Sequence, residues 1–338
     1  MKKVFLIAAA VVAFAACSKN EVLPSSSINN EISFNVAPRT KATPETFDTH
    51  NVFASWAYYL PKGSTWDTRA TGVTPQKYIV GRTISYQTDG TWKETGKTYY
   101  WPKDGGKLTF FAYSLNRNNL TLTGGDSHFT CDAGSGISGA IDLKANKNTD
   151  FMVAEIAKDK EANETAYSFN GVPTLFKHKL SKVVCKVQKA ADYQGVTFEL
   201  NSIKFLKVSH YAAYGQLPTE KITPSGTKED QVYTSATQEI TTTLTPVTTE
   251  DVVIYIPQKF TDETSKIEIT YTITTTVEGS TTPVVQTVVR EYPISDKFAE
   301  WEMGKKYIFN LTFSLDEILW APAVEPWVDA PAGSIDVK

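Results

Sequence analysis

The sequence predicts an all-β protein made of tandem β-sandwiches, and three observations carry that expectation. Thr, Tyr, Phe, Val and Ile are abundant among the 338 residues, and helix-favouring runs are few. Several segments alternate strictly between apolar and polar residues, the period of a strand with one face on a core. Between them lie turn clusters such as Asp89-Gly90, Asp104-Gly105-Gly106 and Gly124-Gly125-Asp126. Many short strands joined by Gly-rich turns, with no helical patterns between them, bury their apolar faces most economically as packed sheets.

The chain opens on an export signal. Lys2 and Lys3 precede an apolar run from Val4 to Ala16, too short for a stable membrane-spanning helix but right for a signal-peptide core. It ends in Phe14-Ala15-Ala16-Cys17, which resembles a bacterial lipobox except that Phe14 replaces the usual leucine. The resemblance implies cleavage before Cys17 and acylation of its sulfur. Acyl chains contribute about 0.8 kcal/mol per buried CH₂, so a multiply acylated Cys17 would hold the chain on a membrane. No later segment reaches transmembrane length. The polar stretch Ser18 to Ser27 reads as a tether.

Strand patterns follow at Glu31 to Val36, Val52 to Leu60, Tyr78 to Tyr86 and Lys107 to Tyr113. In the first, Ile32, Phe34 and Val36 share one face. Residues 116–148 are rich in Asn, Gly, Ser and Asp and are expected to form long loops. A break at Gly171-Val172-Pro173 divides the mature chain into residues 40–170 and 171–338, behind a signal peptide (1–16) and a tether with its N-terminal strand (17–39). In the second part the strands expected are Lys182 to Val187, Val196 to Val208, Asp251 to Ile256, Ile267 to Thr274, Val284 to Tyr292 and Tyr307 to Leu315. A Pro-interrupted terminal stretch, Ile318 to Lys338, carries Ile318, Trp320, Val324, Trp327 and Val328, a pattern suited to an edge or extended segment.

Signals for chemistry are sparse. With 34 basic and 37 acidic residues the net charge is −3, which gives no reason to expect nucleic acid as a partner. The four histidines, His50, His128, His178 and His210, show no metal-ligand spacing. His178 is flanked by Lys177 and Lys179 with no carboxylate nearby in sequence, which fits packing better than proton transfer. Asp150 and Glu161 could end a calcium loop, but Met152 and Ala154 fall at ligand positions and Glu155 where the turn glycine belongs. No cofactor, metal site or catalytic residue is expected. A bridge between Cys131 and Cys185 is open in an oxidising compartment, although the apolar alternation around Cys185 suits a buried thiol better. Trp56, Tyr58, Tyr59, Tyr99, Tyr100 and Trp101 could stack on sugars if exposed together, but aromatics at period two more often fill a core. Tyr99 and Tyr100 point to opposite faces, so one of them can be exposed.

Several motifs in order resemble one family. A lipobox precedes Ile32-Ser33-Phe34-Asn35-Val36 and the basic site Pro38-Arg39-Thr40-Lys41-Ala42. Then come Tyr99-Tyr100-Trp101-Pro102, Leu108-Thr109-Phe110-Phe111-Ala112-Tyr113 and Phe176-Lys177-His178-Lys179-Leu180-Ser181-Lys182-Val183. Last are Trp301-Glu302-Met303-Gly304-Lys305-Lys306-Tyr307 and Val324-Glu325-Pro326-Trp327. In this the chain resembles the fimbrillin-like lipoproteins of Bacteroidetes, subunits of type V pili. The resemblance implies two transthyretin-like sandwich domains, a place on the outer membrane and cell surface, and no enzymatic activity. It also implies cleavage after Arg39, leaving Thr40 first, and loss of the strand bearing Ile32, Phe34 and Val36. The slot would then be filled by another fimbrial subunit's terminal segment, here Ile318, Trp320, Val324, Trp327 and Val328.

The residues suit that scheme. Arg39 lies in a stretch without periodicity, the kind of segment proteases reach; Lys41 is a second possible cut and Arg69 a third, and the family position favours Arg39. Refilling an apolar slot with three to five large side chains contributes roughly 1.5–3 kcal/mol each before ordering costs, and backbone pairing adds to it. The plainer reading makes Arg39 a linker residue and the strand a permanent edge. Two other functions stay open: a surface lipoprotein that binds glycans through exposed aromatics without polymerising, and an envelope hydrolase with a carboxylate pair in a cleft.

Overall fold

A computed structural model describes residues 31–38, 47–69, 71–115, 129–162, 171–247 and 253–327. The chain is all-β. Its first ten strands are β1 (Phe34–Pro38), β2 (Phe53–Leu60), β3 (Gln76–Tyr86), β4 (Trp92–Glu94), β5 (Lys107–Ser114), β6 (Thr130–Asp132), β7 (Gly136–Asp142), β8 (Met152–Ala154), β9 (Ala157–Lys160) and β10 (Val172–His178). Seven of them pair in the order β2-β3-β4-β1-β10-β8-β5, and β5 pairs back onto β2 from Phe53↔Ser114 to Leu60↔Lys107. The first half is therefore a ring of strands around its own interior. Ile32, Phe34, Phe53, Ile79, Ile84, Trp92, Phe110 and Phe176 fill that interior.

The strands β2 and β5 read as nearly unbroken apolar runs because both their faces are buried. Phe53 and Ala57 face the ring interior, whereas Trp56, Tyr58 and Leu60 face a second core with Phe111, Tyr113 and Leu115. That second core is covered by a four-stranded sheet of order β14-β13-β7-β6, in which β13 (Tyr211–Gly215) and β14 (Lys221–Ser225) come from the later half of the chain. The strand β10 and this hairpin both follow the break at Gly171 and pair with strands that precede it.

The rest of the chain supplies β11 (Ser181–Lys189), β12 (Val196–Val208), β15 (Glu229–Thr234), β16 (Gln238–Ile240), β17 (Thr245–Pro246), β18 (Val253–Tyr255), β19 (Gln258–Lys259), β20 (Lys266–Thr275), β21 (Val284–Pro293), β22 (Glu300–Trp301), β23 (Lys305–Phe313) and β24 (Ile318–Pro326). Two sheets, β17-β11-β23-β24 and β15-β12-β20-β21, form a sandwich. Its core interleaves Val183, Cys185, Val187, Phe309 and Phe313 from one sheet with Phe198, Leu200, Phe205, Ile267 and Ile269 from the other. These are the alternating residues that the period-two pattern assigns to an inner face.

Two local expectations are corrected. Residues 130–132 and 136–142, expected as loop, form β6 and β7. In the second of these, position 139 is glycine because Phe129 occupies the space a side chain there would need; a Cβ on Gly139 would lie 2.5 Å from that ring. Leu315, counted with the last alternating strand, lies past its end and is exposed. Cys131 and Cys185 are both free thiols, buried in different cores.

Candidate assembly site

The N-terminal strand is an integral member of the ring. It runs parallel to β10 in register from Phe34↔Val172 to Pro38↔Phe176, and meets β4 at the single pair Phe34↔Trp92. Upstream, the Ile32 amide donates to the Tyr99 carbonyl at 2.8 Å and the Val172 amide donates to the Ser33 carbonyl at 2.8 Å. Ile32 and Phe34 are 3% and 4% exposed, so both are true core residues. Phe34 stands edge-on to Phe53 and Phe110, with centroids 5.4 and 5.8 Å away. Val36 packs half-buried against the same interior. Burial of Ile32 and Phe34 contributes about 1.5–3 kcal/mol apiece.

Gly171 lets this strand come close. Its φ is +102°, and a Cβ there would lie 2.7 Å from the Ser33 carbonyl oxygen, a contact that only glycine avoids. Arg39, Thr40 and Lys41, like Cys17, lie outside the described residues. Arg69 places its guanidinium 4.9 Å from the Trp66 ring centroid and donates to the Trp66 carbonyl.

The C-terminal segment lies at the margin of the sandwich. The strand β24 pairs antiparallel with β23 over nine positions, from Phe313↔Ile318 to Lys305↔Pro326. Ile318 is buried, and Trp320 stacks on Phe309 with 5.3 Å between centroids and 26° between planes. Val324 is 49% exposed, as an outward residue of an edge strand can be. Trp327 then turns inward, 6% exposed, and joins the second core of the first half. Its amide donates to the Gly304 carbonyl at 3.0 Å, and its indole stacks on His178. Val328 lies outside the described residues.

His178 has the carboxylate its sequence neighbours lack. Nδ1 is 2.6 Å from Oδ2 of Asp150, which is itself buried. Nearby, Lys179 is buried and pairs with Glu220 at 2.8 Å, and the Tyr214 hydroxyl donates to the same carboxylate at 2.5 Å. Burial pulls the Lys179 ammonium below its ordinary value despite Glu220, and burial also pushes the Tyr214 hydroxyl up. These groups tie β10, β11 and the β13–β14 hairpin at one junction. Sequence reading met Asp150 only as an end of an ill-fitting calcium loop, Gly171 only as a break between halves and Gly304 only within a family motif, and it missed Glu220.

Of the aromatics considered for sugar stacking, Trp56 and Tyr58 are buried, Tyr59, Tyr99 and Trp101 are half-buried, and Tyr100 is 54% exposed. Among the described residues no group of three His, Cys, Asp or Glu side chains could hold a metal ion, and no helix is long and apolar enough to cross a membrane.

The profile of the fimbrillin-like family matches residues 40–327, and the chain belongs to that family. Membership of a fimbrillin-like family supports a non-catalytic, structural pilus-subunit role at the cell surface. Among solved structures, a fimbrial protein from Bacteroides vulgatus superposes with a TM-score of 0.68 at 19% identity, covering 89% of this chain and 100% of that one. A protein proposed to act in cell adhesion, from Bacteroides uniformis, gives a TM-score of 0.52 at 17% identity over 88% and 100% of the two chains. A third, from Bacteroides ovatus and described in the same terms, gives 0.51 at 14% identity over 89% and 98%. At these identities the structures speak for the fold. No functionally curated protein matches the chain in sequence.

Proposed function

We propose that this chain is a structural subunit of a surface fimbria of the type V class, polymerised by strand exchange. It is exported as a precursor, lipidated on Cys17 and held on the outer membrane. Cleavage after Arg39 frees the segment that carries β1, and the ring then lacks one strand between β10 and β4. The vacated slot offers one edge of β10 and the places of Ile32, Phe34 and Val36 to an incoming strand, an addition that uses main-chain pairing for affinity and pockets for specificity.

The observation that supports this reading most is the position of β1. A short strand directly upstream of an arginine closes the ring, yet it holds β4 by one register pair. The C-terminal segment suits the donor role because it lies at a sheet margin, so leaving breaks one ladder only. Ile318, Trp320, Val324, Trp327 and Val328 are its candidate anchors.

Limited digestion with an arginine-specific protease tests the proposal. The expected result is one early cut, a new N-terminus at Thr40 and a ladder of oligomers that vanishes when Ile318 to Lys338 is deleted. A chain that is cut at this point and stays monomeric rules out strand exchange.

A further inference from the structure

Two stretches at opposite ends of the chain carry one pattern. In Ile32-Ser33-Phe34-Asn35-Val36-Ala37-Pro38 every second residue runs Ile, aromatic, Val, Pro. In Ile318-Leu319-Trp320-Ala321-Pro322-Ala323-Val324 the same positions run Ile, aromatic, Pro, Val. Each series lies on the core side of its strand. Ile32, Phe34 and Val36 pack in the ring interior, and Ile318, Trp320 and Pro322 stand opposite Phe313, Leu311 and Phe309 of the sandwich core.

The place of β1 discriminates along its length. At its start Phe34 fits edge-on against Phe53 and Phe110. Toward its end the interior is taken by Phe47, which stacks on Phe176 with 4.8 Å between centroids and 21° between planes, and meets Trp92 at 5.4 Å. Phe176 is the register partner of Pro38, so Phe47 limits this half of the slot to small side chains. Phe47 follows Arg39 in sequence and stays with the chain after a cut there.

The backbone discriminates too. The Ile32 amide turns to the Tyr99 carbonyl, while the Ser33 carbonyl accepts from Val172. Successive residues of a strand turn their backbone groups to opposite sides. Ser33, Asn35 and Ala37 therefore serve β10, and Ile32, Phe34 and Val36 face the side of β4. There β4 pairs with Phe34 alone, so a proline in the place of Val36 forfeits no ladder bond.

We propose that the slot accepts the C-terminal strand of a second copy in one register, with Ile318 in the place of Ile32, Trp320 in that of Phe34, Pro322 in that of Val36 and Val324 in that of Pro38, and with Phe47 as the positioning residue. The inference rests on strand exchange and adds the register and its cause. Leu319, Ala321 and Ala323 then offer their amides to β10. A slip of one residue turns Pro322 toward β10 and the apolar series to the outside. A slip of two sets either Trp320 against Phe47 or Pro322 where Phe34 was.

Paired cysteines test the register. Full chains carrying Leu175→Cys are mixed with chains carrying Ala321→Cys, Ala323→Cys or Glu325→Cys, cut with an arginine-specific protease and oxidised. In the proposed register Ala323 takes the place of Ala37, opposite Leu175. Only that pair comes within the about 7 Å between Cα atoms that a disulfide spans, so its cross-linked dimer should dominate. Pro322 is exposed in the uncut chain, so Pro322→Phe should leave that chain folded. After the cut its ring crowds Phe47, and chain growth should slow about tenfold or more, as overpacking costs. Adding Phe47→Ala should restore growth, which a purely structural role for Phe47 does not predict. Oligomers that cross-link best through Ala321 or Glu325, or Pro322→Phe chains that grow normally, would overturn the register and leave strand exchange standing. Cut chains that form no oligomers at all would overturn both.

Discussion

The indole of Trp327 lies flat on the imidazole of His178, with ring centroids 4.1 Å apart and planes 8° from parallel. Asp150 fixes the imidazole from its edge at 2.6 Å, and the Lys182 ammonium sits 5.6 Å from the indole centroid. This stack is one of the contacts that join the sandwich to the core of the first half. The C-terminal strand belongs to the sandwich, while the indole that ends it is buried in a core of the first half.

Trp327→Ala should therefore destabilise the chain by about 3–5 kcal/mol, the range for losing a large buried aromatic. Hydrogen exchange should show where: amides of residues 318–326 lose protection before those of β11 and β12. Trp327→Phe keeps an aromatic face on His178 and should cost markedly less. Unchanged protection of residues 318–326 in the alanine variant would mean that β24 is held by its pairing with β23 alone.

Gly171→Ala probes the N-terminal strand. The alanine Cβ meets the Ser33 backbone, so β1 must shift, and a φ of +102° is strained for alanine in any case. The precursor should lose roughly 1–3 kcal/mol from the clash. After cleavage and loss of β1 only the conformational part should remain. Comparing denaturation midpoints of cut and uncut chains separates the two, and equal losses in both forms would show that β1 stays in place after the cut.

Much of the strand inventory was readable because alternation reports a local property. The segment Val196 to Val208 is a strand over its whole expected length, and Tyr307, Phe309, Leu311 and Phe313 all point into the sandwich core. The ring closure was not readable, because it depends on which strands meet. Nothing local announces that Phe34 will lie beside Val172 in a parallel pair, or that β5 will return to β2. The same holds for the junction: Lys177 and Lys179 surround His178 in sequence, but its partner Asp150 arrives from 28 residues away. Short strands fail for a different reason. In β7, Gly139 is dictated by Phe129 rather than by strand propensity, so composition there points to loop.

The two buried thiols set an alkaline limit. Burial pushes Cys131 up to about 12 and Cys185 well above its ordinary value. Both should ignore thiol reagents at pH 8 until the chain unfolds. In the unfolded chain each ionises near pH 9, where the folded chain still holds its proton. Stability is thus fully present below pH 9 and falls as pH rises toward 12, by at most about 1.4 kcal/mol per pH unit for each thiol. Cys185→Ala should flatten that alkaline decline in a denaturant series taken from pH 8 to 11; an unaltered slope would assign the decline to buried tyrosines such as Tyr255, whose hydroxyl burial also raises.

The Lys179–Glu220 pair gives the sharpest test of the junction. Lys179 is 6% exposed, and its ammonium is tolerated because Glu220 lies 2.8 Å away and is itself steadied by Tyr214. Removing Glu220, whose own side chain is about a third exposed, leaves the buried ammonium unpaired, so Glu220→Ala should cost up to about 3 kcal/mol, the low end for breaking a buried pair. The Lys179 ammonium, already held below its ordinary value by burial, should then fall further. A lowered folded value means that the unfolded chain binds the extra proton, so the variant should regain stability as pH rises toward 10.5. Replacing both residues with apolar ones, Lys179→Met with Glu220→Leu, should recover most of the loss, since such pairs are often exchanged for hydrophobic packing at little net cost. If the double variant is as weak as the single one, the pair holds the β13–β14 hairpin by geometry that methionine and leucine cannot reproduce.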